Sequence, residues 1–349
     1  MSNTISSLKS AGPKPGASFR ERYKSAYRWM VLARVLEEKI GGLYRSGGKI
    51  VGGVYLGRGQ EAFSAALGQS LSEPGDVFGP LIRDMAGRLA FGEPLLDAPR
   101  TYLGSASGPM RGRDGNIHRG RPREGLPAMI SHLGALASVV AGMLLAKRMR
   151  GEQGIAGGTC IGDGATSTGS FHEAINLAAV EKLPLIFAVA NNHYAYSTPN
   201  AQQFACENLV DRAIGYGVRG YRVDGTDLAQ CLDAFTEAAA RARAGEGPQM
   251  VVGDLLRLSG HGEHDDARYV DPKLRESKVG RDCLAVARQY IADEGWMAEA
   301  ELDAWRGEAE AKVDEAIATA QREAPPDPFK ETWHALATKH LMDTYISES

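Results

Sequence analysis

From Arg20 to Tyr44, apolar side chains recur three and four positions apart: Tyr27, Met30, Val31, Ala33, Leu36, Ile40 and Leu43. That spacing predicts an amphipathic helix. The segment GGKIVGGVYLGRG interrupts it, and residues 61–71 predict a second helix closed by EPGD. The middle of the chain alternates. Helical patterns cover 136–149, 169–181, 204–216 and 227–244, and short apolar runs lie between them: GTCIGDG (158–164), LPLIFAVAN (183–191), GYRVDG (220–225) and QMVVGDLLR (249–257). Apolar strands separated by helices predict βαβ units, and hence an α/β fold whose parallel sheet carries helices on both faces. From about residue 273 the pattern is mostly helical. Leu302, Trp305, Ala309, Val313, Ile317 and Ala320 form one stripe, which APPDP (324–328) ends. Residues 1–18 hold almost no large apolar groups and predict a disordered tail. The expected division is a tail at 1–18, an α/β domain at 19–272 and a C-terminal helical extension at 273–349. Residues 96–128 show little periodicity and many Gly, Pro and Arg residues, and so long a loop in a compact enzyme is usually functional.

Composition narrows the function. The 349 residues are 43% hydrophobic and 24% charged, with a formal charge of −3. That is an ordinary globular balance, and a charge near zero argues against a nucleic-acid binder. No apolar run approaches the ~18 residues of a membrane span. The opening residues, with two lysines and no apolar centre, do not read as a secretory signal. Cys160, Cys206, Cys231 and Cys283 are widely spaced with no CxxC. A disulfide framework or cysteine zinc site is therefore not expected, and the pattern fits a reducing, cytoplasmic setting. The 42 glycines exceed the usual share of about 7%. They sit mainly before residue 170, where loops could let a ligand approach the backbone.

The chemistry concentrates at two strand ends. Gly162-Asp163-Gly164-Ala165 closes one apolar run and Asn191-Asn192 closes the next. Asp163 and Asn192 are 29 positions apart, the length of one strand–helix–strand crossover. Both ends should therefore lie side by side at the carboxyl edge of the sheet, where open α/β sheets bind ligands. Either motif alone reads better as a tight turn or a polar strand end. Together, a carboxylate, an amide oxygen and a nearby carbonyl are hard ligands that leave room for phosphate oxygens and water around Mg²⁺. The helix starting near Thr168 adds its dipole, and the glycines admit a diphosphate.

GDGATSTGSFHEAINLAAVEKLPLIFAVANNHYAYSTP resembles the thiamine-diphosphate motif of the alpha subunit of the decarboxylating first component of 2-oxo acid dehydrogenases. Further blocks agree in order from about residue 20 to 325: RSGGKIVGGVYLGRGQEAFSAALG, VFGPLIRDMAGRLAFGEP, GRDGNIHRG, YRVDGTDL, GEGPQMV and LRLSGHGEHDDARYV. The resemblance implies a thiamine-diphosphate-binding fold with helical N- and C-terminal additions. It implies decarboxylation of pyruvate or a branched-chain 2-oxo acid, with acyl transfer to the lipoyl group of an acyltransferase component. Asp163 and Asn192 would bind Mg²⁺ through side chains and Tyr194 through its carbonyl. Gly162, Gly164 and Ala165 would let the backbone meet the diphosphate, and Arg83 would pair with it, as would Arg257. Ser131 and Leu133 would touch the pyrimidine ring, with core packing the alternative for both. His118 and His261 are the candidate catalytic groups, since imidazole titrates near neutral pH, and His261 would also contact the cofactor. The carboxylate that engages the aminopyrimidine would come from a beta subunit in an α₂β₂ tetramer, so this chain alone should be incompetent. Membrane and nucleic-acid partners are not implied.

Departures from the family pattern bear on the substrate. Ile82 precedes Arg83 where many relatives carry Tyr, Tyr55 stands where His is frequent, and the glycine-rich loop reads GRDGNIH rather than GKGGSMH. Gly262 follows His261 where regulated animal enzymes carry a phosphorylatable Ser, so kinase control is not available at that position. Acetoin cleavage by the same subunit plan and a non-catalytic structural paralogue are the alternatives. A Rossmann nucleotide binder is disfavoured because no GxGxxG opens a helix after the first strand. Glu61 is expected to act through a helix dipole. Glu173 and Asn176 are expected to make structural hydrogen bonds, and Asp265-Asp266 to lie in a solvated loop. His132, His172, His193, His264, His334 and His340 are assigned no role.

Overall fold

The apolar runs become a parallel sheet. The computed structural model describes residues 17–114 and 117–330. The strands are β1 (Val77–Gly79), β2 (Gly157–Gly162), β3 (Leu185–Asn191), the two-residue pair β4 (Tyr194–Ala195) and β5 (Thr198–Pro199), β6 (Arg219–Asp224) and β7 (Gln249–Asp254). Five of them form one sheet in the order β1-β2-β3-β7-β6, and all its neighbours run parallel. Register pairs Gly162 with Ala190, and Asn191 with Asp254. The carboxyl ends of β2, β3 and β7 therefore finish level, as the spacing of the two motifs predicts.

All seven residues of β3 are buried. Ile186, Ala188 and Ala190 join one core while Leu185, Phe187 and Val189 join the other. This period of two, with apolar groups on both faces, requires cover on both sides. One cover is α1 (Phe19–Arg45), α2 (Glu61–Ser70), α3 (Met85–Phe91) and α4 (Asp97–Tyr102), with α8 (Leu228–Arg243), α10 (Cys283–Asp293) and α11 (Glu299–Arg322) from further along the chain. The other is α5 (Ala135–Met149), α6 (Gly169–Val180) and the single turn α7 (Arg212–Gly215). The short α9 (Pro272–Glu276) packs in a small third cluster with Tyr194 and Tyr269.

Caps set the helix starts. Ser18 and Glu21 form a reciprocal capping box on α1, Thr168 caps α6 and Asp227 caps α8. Small residues permit close contact beneath the sheet. A Cβ at Gly68 of α2 would lie 2.1 Å from the Gly87 carbonyl oxygen of α3.

Several elements differ from expectation. The edge strand β1 and helix α3 are too short to leave a period in the sequence. Residues 96–128 are not wholly irregular, since α4 and a 3-10 turn at Pro122–Glu124 lie within them. Residues 204–208 are not helical, and the segment continues as a 3-10 turn at Leu209–Asp211 followed by α7. Asn208 caps that turn through Asp211, which competes with an earlier helix start. The tail at 1–16 and the stretch 331–349, with His334 and His340, fall outside the described residues. All four cysteines are free. No helix among the described residues is long and apolar enough to cross a membrane.

Candidate active site

β2 ends at Gly162 and enters a 3-10 turn, Asp163–Ser167, before Thr168 starts α6. This turn puts Asp163 at the sheet edge, 1% exposed. One carboxylate oxygen accepts from Gln203 Nε2 at 2.6 Å. Burial pushes the Asp163 carboxyl up, and the Gln203 bond opposes that. The next strand delivers Asn192, also buried, whose Nδ2 donates to Gln60 at 3.2 Å. Asn192 Oδ1 lies 2.9 Å from the Tyr194 carbonyl oxygen and 3.3 Å from Asp163 Oδ1. Turning the Asn192 amide makes its Nδ2 a donor to both of these oxygens. The donor set of one carboxylate, one amide oxygen and one carbonyl is what a hard divalent ion takes. No group of three or more His, Cys, Asp or Glu residues among the described residues could hold a metal.

The backbone between the two oxygen donors is left-handed at His193, with φ +69°. That turn lets Asn192 and Tyr194 line one cavity while His193 lines a separate, smaller one. His193 Nε2 is buried without a partner. Burial lowers its imidazole pKa. On the cavity side, a Cβ at Gly162 would meet nothing within 4 Å, whereas one at Gly164 would lie 2.6 Å from Ala195 Cβ. Backbone is therefore open at the first glycine and tightly packed at the second.

Two buried guanidiniums face this edge. Arg83, on the segment after β1, is 6% exposed, and Arg257, just beyond β7, is 4% exposed. Arg83 donates to the His261 carbonyl, and its Nε is buried with no partner. Arg257 donates to the Tyr196 carbonyl at 3.0 Å and the Tyr269 hydroxyl at 2.6 Å. Neither is a surface charge. Burial, and then Arg257, push the Arg83 guanidinium down to about 10. Buried like charges with an unsatisfied donor call for an anion.

His261 lies against Arg83, with Tyr55 edge-on at 5.5 Å and Tyr196 at 4.4 Å between ring centroids. Burial, Arg83 and Arg257 hold its imidazole down at about 4, so it is neutral at pH 7. Its loop is fixed rather than solvated. Asp265 accepts from His261 N–H at 2.5 Å, Ala267 N–H at 3.0 Å and the Tyr269 hydroxyl at 2.5 Å. Burial, which would raise the Asp265 carboxyl, is outweighed by these bonds and it sits at about 2. Asp266 alone fits the expected exposed position. His118 sits one side chain away from the cavity. Its Nε2 meets Ser131 Oγ, and Asp114 holds its Nδ1 at 2.7 Å.

A cavity of about 450 Å³ joins these groups. Arg83, Ser131, Leu133, Gly162, Asp163, Gly164, Ala165, Asn192, Tyr194, Arg257 and His261 all line it, and His118 reaches it only through Ser131. Leu133 is 57% exposed, so core packing is not its role. Residue-by-residue reading of the sequence misses Gln60, Gln203, Tyr196, Asp265 and Tyr269. Tyr196 lies within the NNHYAYSTP block and Asp265 within the histidine loop, whereas nothing local marks Gln60 or Gln203 as neighbours of the oxygen cluster. Glu61 does more than face a helix dipole. It is buried, accepts from Arg34 Nε at 2.5 Å and from Gly59 N–H at 2.8 Å, and Arg34 also grips Asp282. Glu173 and Asn176 are exposed on α6. His172 is exposed and bonded to Tyr216, and His132 and His264 are exposed.

A family model described as the dehydrogenase E1 component matches residues 27–329. The chain is 33% identical to the alpha subunit of acetoin:2,6-dichlorophenolindophenol oxidoreductase from Cupriavidus necator, over 94% of this chain and 95% of that one. It is 35% identical to the alpha subunit of 2-oxoisovalerate dehydrogenase from Bacillus subtilis, over 84% and 89%. It is 32% identical to the alpha subunit of the pyruvate dehydrogenase E1 component from Rhizobium meliloti, over 86% of each.

Proposed function

The chain belongs to the dehydrogenase E1 component family, and from that premise we propose that it is the alpha subunit of a thiamine-diphosphate-dependent 2-oxo acid dehydrogenase. It acts on pyruvate or a branched-chain 2-oxo acid and passes the acyl group to the lipoyl arm of an acyltransferase component. The observation that carries this reading is the convergence of Asp163, Asn192, Tyr194 and two buried guanidiniums on one cavity.

In this reading Asp163, Asn192 and the Tyr194 carbonyl hold Mg²⁺, as the hard oxygen donors such an ion takes. Arg83 and Arg257 hold the diphosphate, with the backbone at Gly162, Gly164 and Ala165 and the N-terminus of α6 beside it. Ser131 and Leu133 flank the pyrimidine end. When bound, thiamine diphosphate supplies an electron sink for the carbon that loses carbon dioxide. His261, neutral at pH 7, is placed to accept or return a proton at the reacting centre. His118, oriented by Asp114 and set behind Ser131, serves the acyl acceptor side.

The described residues contain one five-stranded sheet. The carboxylate for the aminopyrimidine comes in this reading from a beta subunit, in an α₂β₂ assembly within the cytoplasm. A second reading, acetoin cleavage, is favoured by the similarity over 94% of the chain to a subunit named for acetoin.

The test is thiamine diphosphate binding, with and without Mg²⁺, to the chain co-expressed with its candidate beta subunit. Wild type should bind in a Mg²⁺-dependent way, and Asp163→Ala should weaken binding by at least about 100-fold, since even outer partners of metal ligands cost 10–100-fold. A folded wild-type complex that binds no cofactor would transfer support to the structural-paralogue reading. A panel of pyruvate, branched-chain 2-oxo acids and acetoin then assigns the substrate.

A further inference from the structure

Beneath Arg83 lies a second carboxyl, Glu37 of α1. It is 3% exposed, and it makes no ion pair among the described residues. Both its oxygens accept from a single donor, the Gly57 N–H, at 2.9 Å each. An ionised carboxylate offers about four acceptor sites, so one shared donor in a buried setting favours the protonated form. Gly57 in turn lies flat on Arg83. A Cβ added at Gly57 would sit 2.2 Å from the Arg83 carbonyl oxygen and 3.3 Å from Glu37 Oε1. Carboxyl, glycine and arginine are thus in one line of contact.

The groups facing Glu37 come from four elements: Arg34 on its own helix, Glu61 on α2, Tyr102 on α4, and Arg83 after β1. Burial and Glu61 push its carboxyl up to about 8, against the Gly57 N–H, Arg34 and Arg83. The influence is mutual, because Glu37 supports the charge of Arg83 against burial.

We propose that Glu37 is a proton-linked positioning residue, which seats Arg83 through Gly57 and takes up a proton when a diphosphate is bound against Arg83. The inference rests on the reading of Arg83 as a diphosphate ligand. Without an anion in the cavity, Glu37 ionises only above pH about 8, and there its charge balances Arg83. A diphosphate there takes over that balance and repels the Glu37 charge. The bound state then holds more protons than the free state, so affinity is full below pH about 8 and falls above it, by at most about tenfold per pH unit. Protonation of the phosphate itself, with a pKa near 6, is confined to lower pH.

The experiment is calorimetric titration of thiamine diphosphate, with Mg²⁺, into the assembled complex, using buffers of different ionisation enthalpy between about pH 7.5 and 9. Expected is uptake of roughly half a proton per cofactor at pH 8, rising above it. Glu37→Gln keeps an acceptor for the Gly57 N–H but cannot titrate, and it should show no uptake and a flat affinity. Cofactor binding without proton uptake in wild type, or equal uptake in Glu37→Gln, overturns the role of Glu37 and leaves the cofactor site standing. Absence of binding removes the diphosphate reading itself, and the proposal with it. If Glu37→Gln fails to assemble, Glu37→Asp draws the carboxyl back from Gly57, and an uptake profile unmoved in pH overturns the proposal equally.

Discussion

Among the described residues, eight buried side-chain atoms have no hydrogen-bond partner; Gln60 Nε2 and Gln203 Oε1 belong to side chains bonded to Asn192 and Asp163, and Arg83 Nε to a residue lining the same cavity. Native interiors rarely leave such atoms unpaired, so this concentration marks a region built for something other than stability. His261 shows the same bias in its electrostatics. Two arginines and burial keep its ring neutral, and neutral is the form that can accept a proton at pH 7. The sign follows directly. A lowered imidazole pKa means that the neutral fraction is unchanged from pH 7 down to about 5 and falls only near 4. In the cofactor-free assembly, an NMR titration of His261 should give a midpoint near 4, and a midpoint near the ordinary 6.5 would refute the arrangement. His261→Gln should lower turnover by about 10²–10⁴-fold, the usual worth of a positioned acid–base group.

At the scale of elements, the irregular segment that carries His118 is held by buried ion pairs instead of by regular structure. Glu93, just after α3, accepts from Arg88 at 2.8 Å and from Arg119 at 2.9 Å, and all three are at most 4% exposed. Arg88 also donates to the Arg119 carbonyl at 2.7 Å, and Arg121 pairs with Asp97 at 2.6 Å. Burial would raise the Glu93 carboxyl, yet Arg119 and Arg88 bring it down to about 2. Removing the charge strands two buried guanidiniums, so Glu93→Gln should destabilise by about 3–5 kcal/mol. The folded-state value is depressed, so this contribution is present above the ordinary carboxylate range and is lost as pH falls from about 4.5 toward 2. Denaturant melts of wild type and variant should accordingly converge below pH 4.5. The same contrast explains what the sequence reveals. β2, β3 and β7 are legible because both faces are buried and the runs are continuously apolar. Asp163 and Asn192 are legible because they end those runs. β1, three residues long, has no period to read, and the insertion of β7 between β3 and β6 is decided by tertiary packing. Glu37 occupies a polar position beside Leu36 on a helix whose stripe faces the core, so only the approach of Gly57 and α2 shows that it is buried.

At the scale of the molecule, the apolar surface is unevenly distributed. Of nine exposed large apolar side chains among the described residues, Leu133 lies at the cavity, Val139 and Met149 on α5, Leu177 and Val180 on α6, and Ile214 on α7. Met149, Val180 and Ile214 are each more than 70% exposed. Scattered exposed apolar groups need no explanation, but a group of six on neighbouring elements on one side of the sheet marks an interaction surface. Helices α5 and α6 pack against one another through Ala137, Val140, Ala141, Phe171, Ala174 and Ile175, so these outward positions are not spare core. Leu133, two residues before the start of α5, lines the cavity and is exposed. In the proposed reading the beta subunit, which would deliver a carboxylate to the same cavity, is the occupant of this face. Leu177→Asp combined with Val180→Asp tests this without touching a site residue. Both positions are solvent-exposed, so the isolated chain should keep its melting temperature within a few degrees, in keeping with surface changes of about 0.5 kcal/mol. Assembly should fail, because two carboxylates would be buried against an apolar partner without compensation. Sedimentation of the co-expressed subunits would show separate chains where wild type gives the complex, and turnover would fall with the fraction assembled. Full assembly of the double variant would place the partner on another face, and the apolar side chains of α5 and α6 would then need a different occupant.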